Sequence, residues 1–314
     1  VAAFMIAVAE AKSPEIAPIK GAPTLMTGAY DVAKLGYTTN EYFVSGTANS
    51  YSAPQPLIPD GRWTASVSGT APYRTRIVVM RPTDPAKFNG TVIVEWLNVS
   101  GGLDAPADWF MAHREFVRSG YAYVAVSAQK VGVEGGASLG ADMSLKKLNP
   151  ARYQSLLHPG DAFAFDIFSQ AGKLVQRAGG KGILGPLIAK NVLAAGESQS
   201  AHFLTTYVNA VDPKARVYDG FLIHSRFGGS APLERGLAAG QAQLCQFCGR
   251  QRGGGRSQAA SAAGCAIEQS CFVVGRNRHG QGVAGPRHPC RIAQGAWPAG
   301  ECEHRRCAGN PAGG

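Results

Sequence analysis

The apolar run Val192-Leu193-Ala194-Ala195 leads straight into Gly196-Glu197-Ser198-Gln199-Ser200, and the helix-like stretch Ala201–Ala210 follows. Four small or branched apolar residues in a row suit a short buried strand. A small residue two before Ser198 and another two after it let the backbone turn sharply from strand to helix and hold the serine hydroxyl proud of a sheet. Ser200 stands where the common form of this turn has glycine. The layout constrains the fold: the strand must be interior, the helix must pack back on the sheet, and the serine must sit at the strand's carboxyl end. A serine hydroxyl is a weak nucleophile until a base takes its proton. The bland alternative is a serine capping the helix N-terminus.

The rest of the first 230 residues alternates between strand and helix patterns. Residues 13–60, rich in Pro, Gly, Ser and Thr, predict an N-terminal β-elaboration with a strand at Glu41–Ser45. Trp63–Ser68 and Arg76–Met80 predict two further strands. Thr91-Val-Ile-Val-Glu-Trp-Leu97 reads as a buried strand, followed by the loop Asn98–Gly102. Asp108–Ser119 has helical spacing and stops at Gly120. Tyr121–Ser127 predicts a strand, Ser144–Leu148 a short helical piece, and Ala162–Ala178 a helix. Val217–Ile223 predicts the strand after the serine turn. Such alternation argues for an α/β fold, a mostly parallel sheet covered on both faces. The loops after Leu97, Ser127, Ala195 and Ile223 should meet at the carboxyl ends of the strands.

Composition changes abruptly near residue 244. All seven cysteines lie in 245–314, and that segment has no Leu, Lys, Asp, Thr, Tyr or Met. It holds nine Arg and three Glu, so it carries most of the net charge of +10. Seventy residues without a leucine can hardly build the last layer of a core. The segment reads as the product of a shifted reading frame in GC-rich DNA, or else as a disordered extension. The sheet is therefore expected to lack its final strands. The domain reading is 1–12 as the remnant of a signal peptide, 13–234 as the folded domain, and 235–314 as an anomalous Gly/Arg/Cys-rich tail.

Cys245-Gln-Phe-Cys248 has the gap of a zinc knuckle, but the later Cys and His spacings are irregular. The tail as a basic or zinc-binding interaction module is thus a rival reading. The charge excess sits in the anomalous tail, so nucleic acid is not implied as a partner. Residues 1–12 are apolar with small residues at Ala7, Ala9 and Ala11, like the end of a secretory h-region. They imply a periplasmic or secreted protein, with the cytoplasm as the alternative. No stretch reaches the ~20 apolar residues of a membrane span.

Three runs in order, Val94–Gly102, Gly196–Ser200 and Tyr218–Arg226, carry a resemblance to the α/β-hydrolase superfamily. More closely, the chain resembles a bacterial α/β-hydrolase domain family, over roughly residues 25–234. The resemblance implies a serine hydrolase acting on a small-molecule carboxylic ester through an acyl-enzyme, without metal or organic cofactor. Ser198 would be the nucleophile. Gln199 would give a backbone N–H to the oxyanion hole, with a second donor from Ser100 or Gly101. Glu197, His224 and Arg226 would line the pocket. In the superfamily an acid and then a histidine follow the serine, which here means beyond residue 234, where no aspartate exists. The triad acid and histidine are therefore unassigned. A catalytically inactive product of an interrupted gene is the alternative that follows. His202, four residues after Ser198, is read as packing rather than as the base. His113 and His158 lack a partner motif, and His279, His288 and His304 lack the expected surroundings.

Overall fold

The computed structural model describes residues 13–28, 30–53, 57, 60–137, 141–177, 182–226, 228–233 and 272–275. Among the described residues, eight strands form one sheet in the order β1-β2-β3-β5-β4-β6-β7-β8. They are β1 (Glu15–Ile19), β2 (Tyr37–Ser52), β3 (Ser66–Pro82), β4 (Thr91–Trp96), β5 (Ala122–Val126), β6 (Asn191–Glu197), β7 (Gly220–His224) and β8 (Phe272–Gly275). The helices are α1 (Ala107–Arg118), the short α2 (Lys130–Glu134), α3 (Leu145–Leu148) and α4 (Pro150–Tyr153), then α5 (Ala164–Val175), α6 (Gln199–Thr206) and α7 (Asp212–Ala215).

The four central strands β5, β4, β6 and β7 are parallel, and β1, β2, β3 and β8 are antiparallel to their neighbours. The centre of the sheet is parallel as expected, and the N-terminal elaboration makes the whole mixed by adding three antiparallel strands to one edge. Two separate strands were expected at 63–68 and 76–80. A single long β3 runs through both, pairing with β2 from Tyr37↔Pro82 to Ser52↔Ser66. Pro72 lies outside the part of β3 that also pairs with β5, Ile77 to Met80. A residue without an N–H is tolerated where the strand has one neighbour. Among the described residues the sheet continues by one strand past β7. Phe272-Val-Val-Gly275, the β-branched run of the segment beyond 244, pairs antiparallel with β7. Residues 1–12 and the cysteines, His279, His288 and His304 lie outside the described residues.

One face of the sheet packs on α5 and α6. Trp96, Phe165, Phe168 and Tyr207 are buried there with Val92, Val94 and Val124. The other face packs on α1 through Trp109, Phe116, Tyr123, Ile93 and Ala195. Each valine, isoleucine or phenylalanine among them contributes roughly 1.5–3 kcal/mol on burial. Between α1 and β5 the chain turns at Gly120 (φ 72°), where a Cβ would lie 2.0 Å from the Lys87 carbonyl oxygen. Only glycine fits there.

Polar side chains fasten the elaboration to the parallel sheet. Fully buried Arg76 on β3 donates to Asp104 Oδ2 (2.6 Å), Ser127 Oγ (2.9 Å) and the Thr24 carbonyl (2.7 Å). Glu41 on β2 accepts from the Tyr153 hydroxyl (2.8 Å) and from Arg152 Nε (2.7 Å). Buried charges persist when paired and hydrogen-bonded, as these are.

Candidate active site

β6 ends at Glu197 and α6 begins at Gln199, so the whole change of direction falls on Ser198. Its backbone sits at φ 54°, ψ −112°. A residue with a Cβ pays about 1–3 kcal/mol to stay in such a region, and surrounding contacts must hold it there. Gly196 makes the turn possible: a Cβ at that position would come within 3.3 Å of the Ser200 carbonyl carbon and oxygen. Ser200, in place of the usual glycine, closes the turn with its hydroxyl. Ser200 Oγ donates to the Glu197 carbonyl (2.9 Å) and accepts from the Glu197 N–H (3.0 Å). The Ser198 N–H donates to the His224 carbonyl on β7 (3.1 Å). Ser198 itself is half-buried.

The loop after β4 is pinned against this turn. Asn98 and Ala105 exchange backbone hydrogen bonds at 3.0 and 2.8 Å, which closes the loop's base. Asn98 Nδ2 reaches across to the Glu197 carbonyl (3.1 Å) and carboxylate (3.3 Å). Asn98 Oδ1 accepts from Ser100 N (2.9 Å) and Ser100 Oγ (2.7 Å). From the other side, Gln199 Oε1 accepts from Val99 N (3.3 Å), and Gln199 Nε2 donates to Gln129 Oε1 (3.1 Å). Gln129 follows β5 and also accepts from Trp96 Nε1 (3.1 Å). The ends of β4, β5, β6 and β7 therefore meet at one edge, as parallel-sheet topology requires.

An acidic cluster lies beside the turn. His224 Nε2 is 2.5 Å from Asp108 Oδ1 in the first turn of α1. Burial alone would lower the imidazole pKa. The Asp108 hydrogen bond and charge, with Glu197 adding to them, outweigh it, and the net shift is upward. Glu197 is pushed up by burial, with the His224 charge opposing. Behind Asp108, the fully buried Glu95 accepts from Asp108 N (3.0 Å), Trp109 N (3.1 Å) and the Tyr123 hydroxyl (2.5 Å). It caps α1, whose own N-cap residue is Pro106 with no side-chain cap. Burial first and Asp108 second push the Glu95 carboxyl well above its usual range.

The candidate residues from the sequence divide accordingly. Ser198, Gln199, Glu197, Ser100 and His224 are brought together. Gly101 lies in the same loop, exposed. Arg226 donates to the Gly229 carbonyl (3.1 Å) within its own loop. His202 lies on α6, and its carbonyl accepts from Ala231 N (3.0 Å). His113 packs on Tyr30 and Trp109. His158 donates from Nε2 to the Ala128 carbonyl (2.8 Å) and accepts at Nδ1 from Gly160 N (3.2 Å). Asn98, Gln129, Asp108 and Glu95 were not singled out from the sequence. A glutamate inside the apolar run of β4 is the one local signal that could have flagged any of them. Two open clefts border residues 21–27, and neither is lined by the serine turn. Among the described residues, no group of three or more His, Cys, Asp or Glu is placed to hold a metal ion.

A strained serine between a parallel strand and a helix, at the carboxyl edge of such a sheet, defines an α/β-hydrolase fold. The chain belongs to the family described as "Alpha/beta hydrolase domain", which it matches over residues 10–260. No curated protein matches it. Among solved structures it is distantly similar to a glucuronoyl esterase from Solibacter usitatus (12% identity, TM-score 0.30, 62% of this chain and 48% of that one). It is likewise similar to a CE15 glucuronoyl esterase from Teredinibacter turnerae T7901 (13%, 0.29, 69% and 45%). A third is acetyl xylan esterase 1 from Thermoanaerobacterium sp. JW/SL YS485 (13%, 0.27, 60% and 47%). The chain thus spans less than half the length of each of these structures.

Proposed function

We propose that the protein is a serine hydrolase acting on a small carboxylic ester, with Ser198 as nucleophile. The observation that carries this reading is the backbone of Ser198 at φ 54°, ψ −112° between β6 and α6. Strain held at the serine between strand and helix, at the edge where four strand-end loops converge, is what presenting a hydroxyl to substrate requires. Ser198 Oγ attacks the ester carbonyl carbon while its proton passes to a base. The alcohol leaves protonated, and water then cleaves the acyl-enzyme to release the acid. The Gln199 N–H and the Gly101 N–H face the developing oxyanion. Gly101 is preferred to Ser100, whose N–H is given to Asn98 Oδ1. Such a donor contributes about 2.7–4 kcal/mol to transition-state stabilisation. Glu197, His224 and Arg226 line the approach. The triad acid and histidine stay unassigned, and a periplasmic or secreted location rests on residues 1–12.

A second reading is favoured by the composition break near residue 244: an inactive hydrolase-like product of a frame-shifted gene. A fluorophosphonate probe separates the two. Labelling of the purified chain that disappears in Ser198→Ala supports the hydrolase. A chain that stays unlabelled while folded refutes it and leaves the inactive form.

A further inference from the structure

Two neighbouring strand ends carry non-glycine residues at positive φ, Ser198 (54°) after β6 and Ser225 (53°) after β7. One backbone hydrogen bond joins them, from Ser198 N–H to the carbonyl of His224, the residue just before Ser225. The β6–β7 pairing runs up to Glu197↔His224 and this bond carries it into the turns, where strained backbone persists only if surrounding contacts hold it. The His224 ring supplies a contact of that kind. It spans from the end of β7 to Asp108 on α1, across 116 residues of sequence, at 2.5 Å. Asp108 is 2% exposed, so its charge needs a partner. Its Oδ2 has no hydrogen-bond partner among the described residues, which leaves His224 as the group that offsets it. The second ring nitrogen, Nδ1, lies 3.4 Å from Ser225 Oγ. Both ring nitrogens are therefore engaged inside the turn, and neither is offered to a substrate.

We propose that the His224–Asp108 pair is a positioning clamp: the histidine is held as an imidazolium against α1, and its carbonyl in turn fixes the Ser198 amide and the strained turn. His224 is a positioning residue, not the base. Its functional consequence rests on Ser198 being the nucleophile, while the clamp itself does not. The groups that face the ring are Asp108 from α1, Glu197 from β6 and Ser225 on its own strand end. Glu95 from β4 and Tyr123 from β5 stand behind Asp108. The carboxylates on two sides favour the charged ring. With the folded pKa raised, the clamp is complete below the ordinary imidazole value of 6.5 and is lost as pH climbs through the raised value.

The test is NMR on the full-length ¹⁵N-labelled chain, reading the His224 ring nitrogens and hydrogen exchange of the Ser198 amide. The expected result is a ring titrating above 6.5. Exchange of Ser198, corrected for its intrinsic pH dependence, should rise about tenfold across that titration. Asp108→Asn should lower the midpoint by at least one unit and speed Ser198 exchange about tenfold, with the Ala194 amide in β6 unchanged. His224→Gln should remove the pH dependence, and it serves as the variant if Asp108→Asn does not fold. A ring midpoint at or below 6.5 overturns the proposal, as does Ser198 exchange indifferent to both pH and His224→Gln. Failure of fluorophosphonate labelling would sink the hydrolase reading alone, since the exchange result does not depend on turnover.

Discussion

Replacing Ser198 by glycine should make the protein more stable while destroying its reactivity. At φ 54°, ψ −112° the serine Cβ is crowded by its own backbone, at a cost of about 1–3 kcal/mol. Glycine removes that strain but gains freedom in the unfolded chain, which takes back roughly 0.5–1 kcal/mol. Alanine is the control: it loses the hydroxyl but keeps the Cβ and the strain. Ser198→Gly should therefore exceed Ser198→Ala by about 1 kcal/mol, within a range of about 0–2.5. For a domain of this size that is roughly 2–4 °C in Tm. The assay is scanning calorimetry of both variants at one pH, with fluorophosphonate labelling alongside. Both should be unlabelled. A glycine variant no more stable than the alanine variant would refute the claim that the turn stores strain, whatever the labelling result.

Asn98→Ala should free the loop after β4 from Glu197 and slow probe labelling of Ser198 at least tenfold, with a stability loss of only about 1–2 kcal/mol by denaturant titration; equal labelling would show that the loop needs no such tie. Asp104→Ala leaves buried Arg76 without its closest carboxylate and should cost about 3–5 kcal/mol, read from the urea midpoint. His158 is neutral in the fold, donating at one nitrogen and accepting at the other, and burial lowers its pKa. The unfolded chain binds its proton more readily. Its contribution is thus present at neutral pH and lost as pH falls below about 6.5 toward the lowered value. His158→Gln should flatten that acid-side decline in Tm, and an unchanged slope would remove His158 as its source.

Much of the fold was legible because strand, turn and helix here are local affairs. The four apolar residues before Gly196 announced β6, the small residues around Ser198 announced the turn, and the spacing of Trp109 and Phe116 announced α1. The long strands β2 and β3 were only partly legible, since Gly46, Gly69 and Pro72 interrupt the pattern and it is their mutual pairing that carries the backbone through. β8 was legible only in hindsight, as one β-branched run in a segment otherwise poor in apolar residues. By itself the sequence determined which serine stands on a strand-to-helix turn and which strands are interior, because these depend on residues within a few positions of one another. What surrounds that serine was decided by the tertiary structure alone. Asn98 meets Glu197 across 99 residues, and Asp108 meets His224 across 116, because parallel β4, β6 and β7 end at one edge with α1 packed beside them. No local period encodes such meetings; the strand order and the crossing of α1 create them.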